Sequence, residues 1–495
     1  MAYKHGVQVS EVPTSILPPV SVSAGIPFVV GTAPVNMADP SNVNKPVLVS
    51  NYAEAVEAFG YVPPALDETS GLKKYAYSLS EAIYSQFALY GVGPMILVNV
   101  LDPTTHKKTA ATTSVTLDAK TGSATIAEAG IIPDSVKLSA SGGSTYASGS
   151  DYVMAFNDDG NLVITSLKGT DGNFLCDTAA ALTFSASVLD PTKVEADDIV
   201  GGVSVDGKKS GLELISECFP RFRLVPGIIA APGFSQSPTV AAIMAAKATS
   251  ISNCFKATLA VCDVPTDTVK RYSDVAAWKN DNNIVDPMLA VCWPMLSLDG
   301  VAFHQSTQLM GLIGQVDSEN SDVPYVSPSN HNYQMTASVL ADGSEVWLDK
   351  ETAEYLNGQG VVTAINFIGG WKCWGNRTAA YPGVTDVKDA FIPIRRMFSW
   401  IGNTLVQTYW QKLDAPLLPR HVQTIVDSCN IMLNGWAAAG YILGGRVEFL
   451  ESENPATDLM DGIARFHVYV TPPSPNRQID FVLEYDVNNL STLFA

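Results

Sequence analysis

The sequence predicts a multidomain α/β protein: an α/β core, an inserted mostly-β domain, and an α+β C-terminal domain with extended strand-forming terminal arms. Three observations carry this reading. The chain has 495 residues, more than one hydrophobic core sustains, so two to four domains are expected. Short apolar strands alternate with amphipathic helical stretches on both sides of a segment that has neither pattern. Each terminus carries a stretch alternating at period two, set off from its neighbouring domain by prolines.

Residues 1–26 read as an N-terminal arm. Val7 and Val9 alternate with Gln8 and Ser10, and Val20 and Val22 with Ser21 and Ser23. Val7, Val9 and Val12 are its candidate strand contacts. Pro13, Pro18 and Pro19 confine such strands to sheet edges. No hairpin partner lies nearby, so the backbone groups of this stretch must pair elsewhere.

Residues 27–103 read as the first part of the α/β core. Phe28–Gly31 is a short buried strand. Asn51 caps a helix, with Glu54 completing a capping box and Gly60 ending it. A longer helix carries Leu72, Tyr75, Ala76, Leu79, Ile83, Phe87 and Tyr90 on one face. Met95–Leu101 is a continuous apolar strand of the kind found in a sheet covered on both faces. Residues 104–196 are rich in Ala, Gly, Ser and Thr and read as an inserted β-rich domain. Tyr152–Asn157 and Leu162–Leu167 flank Asp158-Asp159-Gly160-Asn161, a strong hairpin signal.

Residues 197–390 resume the core. Leu224–Ala231, Ala257–Cys262 and Met288–Trp293 are strands. Between them, Ser237 with Pro238 opens one helix and Thr266–Asn280 forms another. This order implies a mainly parallel sheet with right-handed crossovers. Thr352–Leu356 is then a helix and Val361–Phe367 a strand. Residues 391–475 form the C-terminal domain. One helix carries Ile394, Met397, Phe398, Ile401, Leu405 and Tyr409; a second carries Val422, Ile425, Val426, Cys429 and Leu433. Arg465–Thr471 is a strand with Phe466, Val468 and Val470 on one face. Gln478–Asp486 alternates again, with Ile479, Phe481, Leu483 and Tyr485 on one face. Pro472-Pro473-Ser474-Pro475 stands between the two as a stiff spacer, which makes 476–495 a C-terminal arm.

Composition narrows the function classes. Net charge is −19, which disfavours nucleic-acid binding because phosphates repel the chain. No arginine and no tryptophan precede Arg221, so front and back differ in kind. The seven cysteines are odd in number and lack any C-x-x-C pair. They read as small buried hydrophobes from a reducing cytoplasm. The N-terminus lacks an apolar signal region, and no run of about 18 apolar residues suggests a membrane span. There is no P-loop, no G-x-S-x-G and no H-E-x-x-H. No two of the six histidines stand at ligand spacing. No catalytic residue, cofactor or metal is therefore expected. Gly369-Gly370 with Trp371 and Trp374 is the faint signal of a phosphate or sugar platform, and Asp158-Asp159-Gly160 reads as a turn.

The termini remain. Strands without a partner of their own add to the open sheet edge of another copy. Such heterologous exchange builds rings or open helices. Phe466, Val468 and Val470 mark the acceptor strand.

Four stretches resemble the contractile tail sheath proteins of bacteriophages and phage-tail-like bacteriocins. They are HGVQVSEVPTSILPPVSVSAGIPFVVGTAP at 5–34, PYVSPSNHNYQM at 324–335, FIPIRRMFSWIGNTLVQTYWQKLDAPLLPR at 391–420 and GGRVEFLESENPATDLMDGIARFHVYVTPPSPNRQIDFVLEYD at 444–486. The resemblance implies a subtilisin-like core without protease activity and an insert lying outermost. It implies stacked hexameric rings of this chain around an inner tail tube, linked by strand exchange and bounded by baseplate and tail terminator proteins. The place implied is the virion tail, assembled in the host cytoplasm, with no membrane insertion. Contraction would then drive the tube through a host envelope. Arg395, Arg396, Lys412 and Arg420 are candidate cations facing that tube. The competing readings are a cytoplasmic α/β hydrolase or nucleotide-dependent enzyme, and a surface adhesin.

Overall fold

The fold is taken from a computed structural model, which describes residues 23–110, 113–140, 143–157 and 159–494. Val7, Val9 and Val12 of the expected N-terminal strand lie outside the described residues.

Mostly apolar strands build the main sheet. Its members are β1 (Pro27–Gly31), β2 (Val47–Val49), β3 (Met95–Asn99), β4 (Ile228–Ala230), β5 (Leu259–Asp263), β6 (Leu289–Cys292), β7 (Val361–Phe367) and β8 (Gly370–Trp374). They lie in the order β2-β3-β1-β4-β5-β6-β7-β8. The six central strands are parallel, and β2 and β8 join the edges antiparallel. Every residue of β1, β3, β4, β5 and β6 is buried, as a sheet covered on both faces requires.

Helices fill the crossovers. They are α1 (Tyr52–Phe59), α2 (Ser78–Ile83), α3 (Pro238–Thr249), α4 (Tyr272–Asp281), α5 (Gln305–Glu319) and α6 (Lys350–Gly358). At the start of α1 the Asn51 side chain accepts from the Glu54 amide, and Glu54 accepts from the Ser50 amide and the Asn51 side chain. Gly60 ends the helix at φ 74°. Helices α3 and α5 both pack on β4 and β5. Nearly all of α5 is buried, so it is a core helix with no solvent stripe.

Two expected helices start later than their apolar pattern. The stripe beginning at Leu72 becomes helical only at Ser78. Lys73–Lys74 is instead a strand of a second, five-stranded sheet, where Lys73 pairs with Val301 and donates to the Gly300 carbonyl at 2.8 Å. Tertiary pairing overrides helical periodicity there. The helix expected from Thr266 begins at Tyr272. The strand expected over Leu224–Ala231 pairs only across Ile228–Ala230.

Within 107–189 the chain forms small antiparallel sheets. Tyr152–Phe156 and Asn161–Ser166 make the expected hairpin, in register from Tyr152 against Ser166 to Phe156 against Leu162. Tyr152, Leu162, Ile164, Leu182 and Phe184 belong to a hydrophobic cluster of their own. The segment enters and leaves through one ladder, in which Lys107 faces Leu189.

The C-terminal region stacks α7 (Ile392–Tyr409) and α8 (Pro419–Ala438) with a two-stranded sheet of β9 (Gly444–Glu448) and β10 (His467–Thr471). Met397, Trp400, Ile401, Cys429, Leu433, Ile442 and Val447 form its core, which also takes in Ala24 from the front of the chain.

Candidate assembly interface

The geometry at the C-terminus follows from alternation along β10. Phe466, Val468 and Val470 are half-buried against the helical core, and the Phe466 ring lies 5.2 Å from that of Phe449. Strand β10 pairs with β9 over five residues, from Gly444 against Thr471 to Glu448 against His467. That sheet holds only these two strands among the described residues, so each has one lateral edge without a strand beside it. A two-stranded ribbon is marginal by itself, and an open edge is a template for a further strand.

The segment that follows, Gln478–Asp486, is expected as a strand and pairs with no strand among the described residues. Residues 476–490 are all exposed. Ile479 is 65% exposed, Phe481 85%, Leu483 95% and Tyr485 74%, so the whole apolar face stands in solvent. Val482, on the other face, is equally bare at 93%. The expected strand is absent because a single β-strand has no hydrogen-bond partner until an edge is supplied. Asp480, Glu484 and Asp486 interleave the apolar residues. Only Pro472 of the spacer is buried, anchoring the start of the arm.

Chemistry elsewhere is confined to buried networks. At the C-terminal ends of β4 and β5, the Asp263 carboxylate accepts the Ser306 amide at 2.8 Å and the Ser306 hydroxyl at 2.5 Å. The Ser235 hydroxyl is 3.4 Å away. Beside it, Glu81 accepts from the His304 amide at 2.7 Å and from His304 Nδ1 at 2.9 Å. Burial works to lower the His304 pKa, but Glu81 and Asp263 outweigh it and raise it to about 9. Burial raises that of Asp263. Ser306 donates its hydroxyl straight to the Asp263 carboxylate, which is not the serine–histidine bond that makes a nucleophile. Ser235 and Ser306 are fully buried. Lys279 is buried too. Its ammonium donates to the carbonyls of Gln359 at 2.6 Å and Tyr381 at 2.8 Å, and burial lowers its pKa to about 8.

Ile368 and Gly369 form the turn between β7 and β8, with Gly369 at φ 82° and Gly370, the first residue of β8, at φ 92°. A strand and not a helix follows the glycines, so they do not form a phosphate loop opening a helix, and the groove of about 540 Å³ beside them is lined by Asn330, Lys350, Phe367, Lys372 and Trp374. No cluster of three or more metal-ligating side chains occurs among the described residues, and no helix among them is long and apolar enough to cross a membrane.

No protein-family model matches the chain. The tail sheath protein of Burkholderia phage BcepMu is 29% identical over 510 residues, covering 99% of this chain and 98% of that protein. Along almost its whole length the chain is similar to the tail sheath proteins of contractile phages. The likeness in fold extends to solved contractile systems. A chain of the anti-feeding prophage baseplate, 6-fold symmetrised, matches with a TM-score of 0.56 at 13% identity over 98% of this chain and 100% of its own. A chain of the contracted PVC sheath complex, from an extracellular contractile injection system, matches at 0.55 and 14% identity over 99% of each chain. Mixed α/β content distributed over several sheets is the architecture of this sheath fold.

On this sheath fold, the four cations picked out as tube-facing separate into two kinds. Lys412, on the α7–α8 connection, and Arg420, in the first turn of α8, are exposed, as are Trp410, Leu413, Leu417 and Leu418. Arg396 corrects the expectation: it is fully buried and ion-paired with Asp317, so it meets no other protein. Arg395 is largely buried and held by Asp389 at 2.9 Å. Helix α7 is covered on two sides. Its apolar stripe faces α8, while its polar face, with Arg396, Ser399 and Asn403, packs against the α/β sheet region. Asn403 there bonds both the amide and the carbonyl of Lys256, at 2.9 and 2.7 Å. A stripe analysis that assumes one wet face reads those residues as surface. The signal available in the sequence was the small uncharged Ser399 and Asn403 around the arginine, unlike a solvated face.

Proposed function

We propose that this chain is the repeating subunit of a contractile tail sheath. It polymerises as stacked hexameric rings around an inner tube in a virion tail, between baseplate and terminator proteins. The reading rests on one observation: an arm whose alternating face of Ile479, Phe481, Leu483 and Tyr485 stands bare beside a two-stranded sheet with open edges. In the sheath, that arm completes the sheet of another copy. Phe466, Val468 and Val470 mark the acceptor strand, and Val7, Val9 and Val12 serve the N-terminal arm in the same way. Each main-chain hydrogen bond contributes only about 0.5–1.5 kcal/mol net, so strength comes from repetition along the strand and from its apolar face.

In this proposal the domains are 1–26 for the first arm, 27–103 and 197–390 for a subtilisin-like core and 104–196 for an outer insert. Residues 391–475 face the tube, and 476–495 form the second arm. Lys412 and Arg420 supply its cations towards an acidic tube surface. Contraction is a rigid-body rearrangement in which the arms stay paired while their proline-bearing roots turn. It drives the tube through a host envelope. Electron microscopy of the full-length chain and of a chain lacking 476–495 tests the reading. Wide hollow tubes are expected from the first. The second should stay unassembled yet keep its far-ultraviolet circular dichroism. Tubes from the truncated chain would refute arm exchange.

A further inference from the structure

We infer that Arg396 is the positioning residue for the root of the N-terminal arm, clamping residues 24–26 between the parallel sheet and the C-terminal helical core. Ala24 packs in the C-terminal cluster and Ile26 in the core of the main sheet, so this strap crosses from one hydrophobic unit to the other. Arg396 projects from α7 to meet it. Its Nη1 donates to Asp317 Oδ1 at 2.9 Å and its Nη2 to Asp317 Oδ2, on α5. Nη2 is also 3.5 Å from the Ala24 carbonyl, and Nε is 3.3 Å from the Thr258 hydroxyl. That hydroxyl lies 3.1 Å from the Ala24 carbonyl and 2.9 Å from the Gly227 carbonyl. Both members of the ion pair have side chains only 1% exposed.

The groove is cut to backbone width. A Cβ on Gly227 would stand 1.9 Å from the Ala24 oxygen, and one on Gly25 3.1 Å from Asp317. The Ile26 carbonyl accepts from the amides of Gly227 at 2.8 Å and Ile228 at 3.1 Å. One guanidinium thus binds the strap, α5 and the entry to β5 at once, using donors in a fixed fork that an ammonium lacks. The arm can turn only ahead of Ala24, and a pull along it reaches the sheet and the C-terminal helices together. The clamp itself is independent of the sheath proposal; its consequence for tubes rests on that proposal.

Amide hydrogen exchange on the full-length chain tests the clamp. Arg396→Lys keeps a cation for Asp317 but loses the fork. It should speed exchange at Gly227 and Ile228 by about tenfold or more, while Ala260 and Val264 in the sheet keep wild-type rates. If the lysine variant does not fold, R396M/D317L, which removes the charges together, should give the same local effect. Wild-type exchange at Gly227 and Ile228 in a folded variant would overturn the clamp. Equal acceleration throughout the sheet would also overturn it, by showing a general stability role. Images of the same samples separate the two ideas. Tubes with blurred layer lines from the variant and sharp ones from wild type support the coupling of root to lattice. A wild-type chain that forms no tubes removes the sheath reading and leaves the exchange result to decide the clamp.

Discussion

Truncating Phe481 to alanine should raise the concentration needed for tube formation without weakening the folded chain. Phe481 is 85% exposed, so Phe481→Ala belongs with surface substitutions, which change stability by less than about 0.5 kcal/mol. In a tube the same ring would be covered by another copy. Fully burying such a side chain contributes about 1.5–3 kcal/mol, and the 85% now exposed scales this to roughly 1.3–2.5 kcal/mol per arm contact. At about 1.4 kcal/mol per factor of ten, the critical concentration rises roughly 10- to 70-fold. Sedimentation of assembled material across a dilution series reads that value, and thermal unfolding of the dilute chain serves as control. An unchanged critical concentration, or a melting temperature lowered by several degrees, would show that the ring is buried within its own chain and that the arm argument is wrong.

Four further outcomes are expected. Arg396→Ala strands Asp317 as a buried unpaired carboxylate and should cost about 3–5 kcal/mol in denaturant unfolding, with the apolar double replacement recovering much of it. His304 keeps its proton up to about pH 9 when folded, against an ordinary 6.5 in the unfolded chain. Stability from that group is therefore complete below about pH 6.5 and declines as pH rises towards 9. Lys279, whose folded pKa is lowered to about 8, works in the opposite sense above that pH, so the decline is read between about 6.5 and 8. His304→Gln should flatten it, and an unchanged slope would assign it elsewhere. Replacing 108–188 by a two-residue turn such as Asn-Gly between Lys107 and Leu189, which face each other across one ladder, should leave a chain that unfolds cooperatively, because a turn of about two residues spans such a pair. An aggregated product would place the insert inside the main folding unit. Charge reversal at Lys412 and Arg420 should leave the melting temperature unchanged and weaken wrapping of the tube; normal wrapping would remove them from that face.

Much of the architecture is legible where local chemistry and burial agree. The capping pair of Asn51 and Glu54, the uninterrupted apolar strand from Met95 and the turn between Phe156 and Asn161 each have one good physical solution, and the fold adopts it. Val361–Phe367 pairs over the span expected of it. Legibility fails where a distant element sets the outcome. Lys73 and Lys74 lie at the head of a helical pattern, but the backbone at Gly300 and Val301 recruits them as a strand. Arg396 looks like surface because a sequence does not display the second partner of α7. The buried group of Asp263, Ser306, His304 and Glu81 is assembled from positions as far apart as 81 and 306, and no spacing rule announces it. For the candidate interface, alternation located the arm, whereas its solitude within the chain is a property of the whole fold.

The bare arm has a bearing on how the chain is made and kept. A stretch with Phe481, Val482 and Leu483 all in water is what misassembly seeks, and every newly synthesised copy carries one. Asp480, Glu484 and Asp486 act as gatekeepers: stacking identical arms in register would line up like charges, whereas a different edge with neutral or basic neighbours pays no such penalty. The acidic residues thereby bias the chain against premature clumping and leave elongation on a correct seed as its outlet.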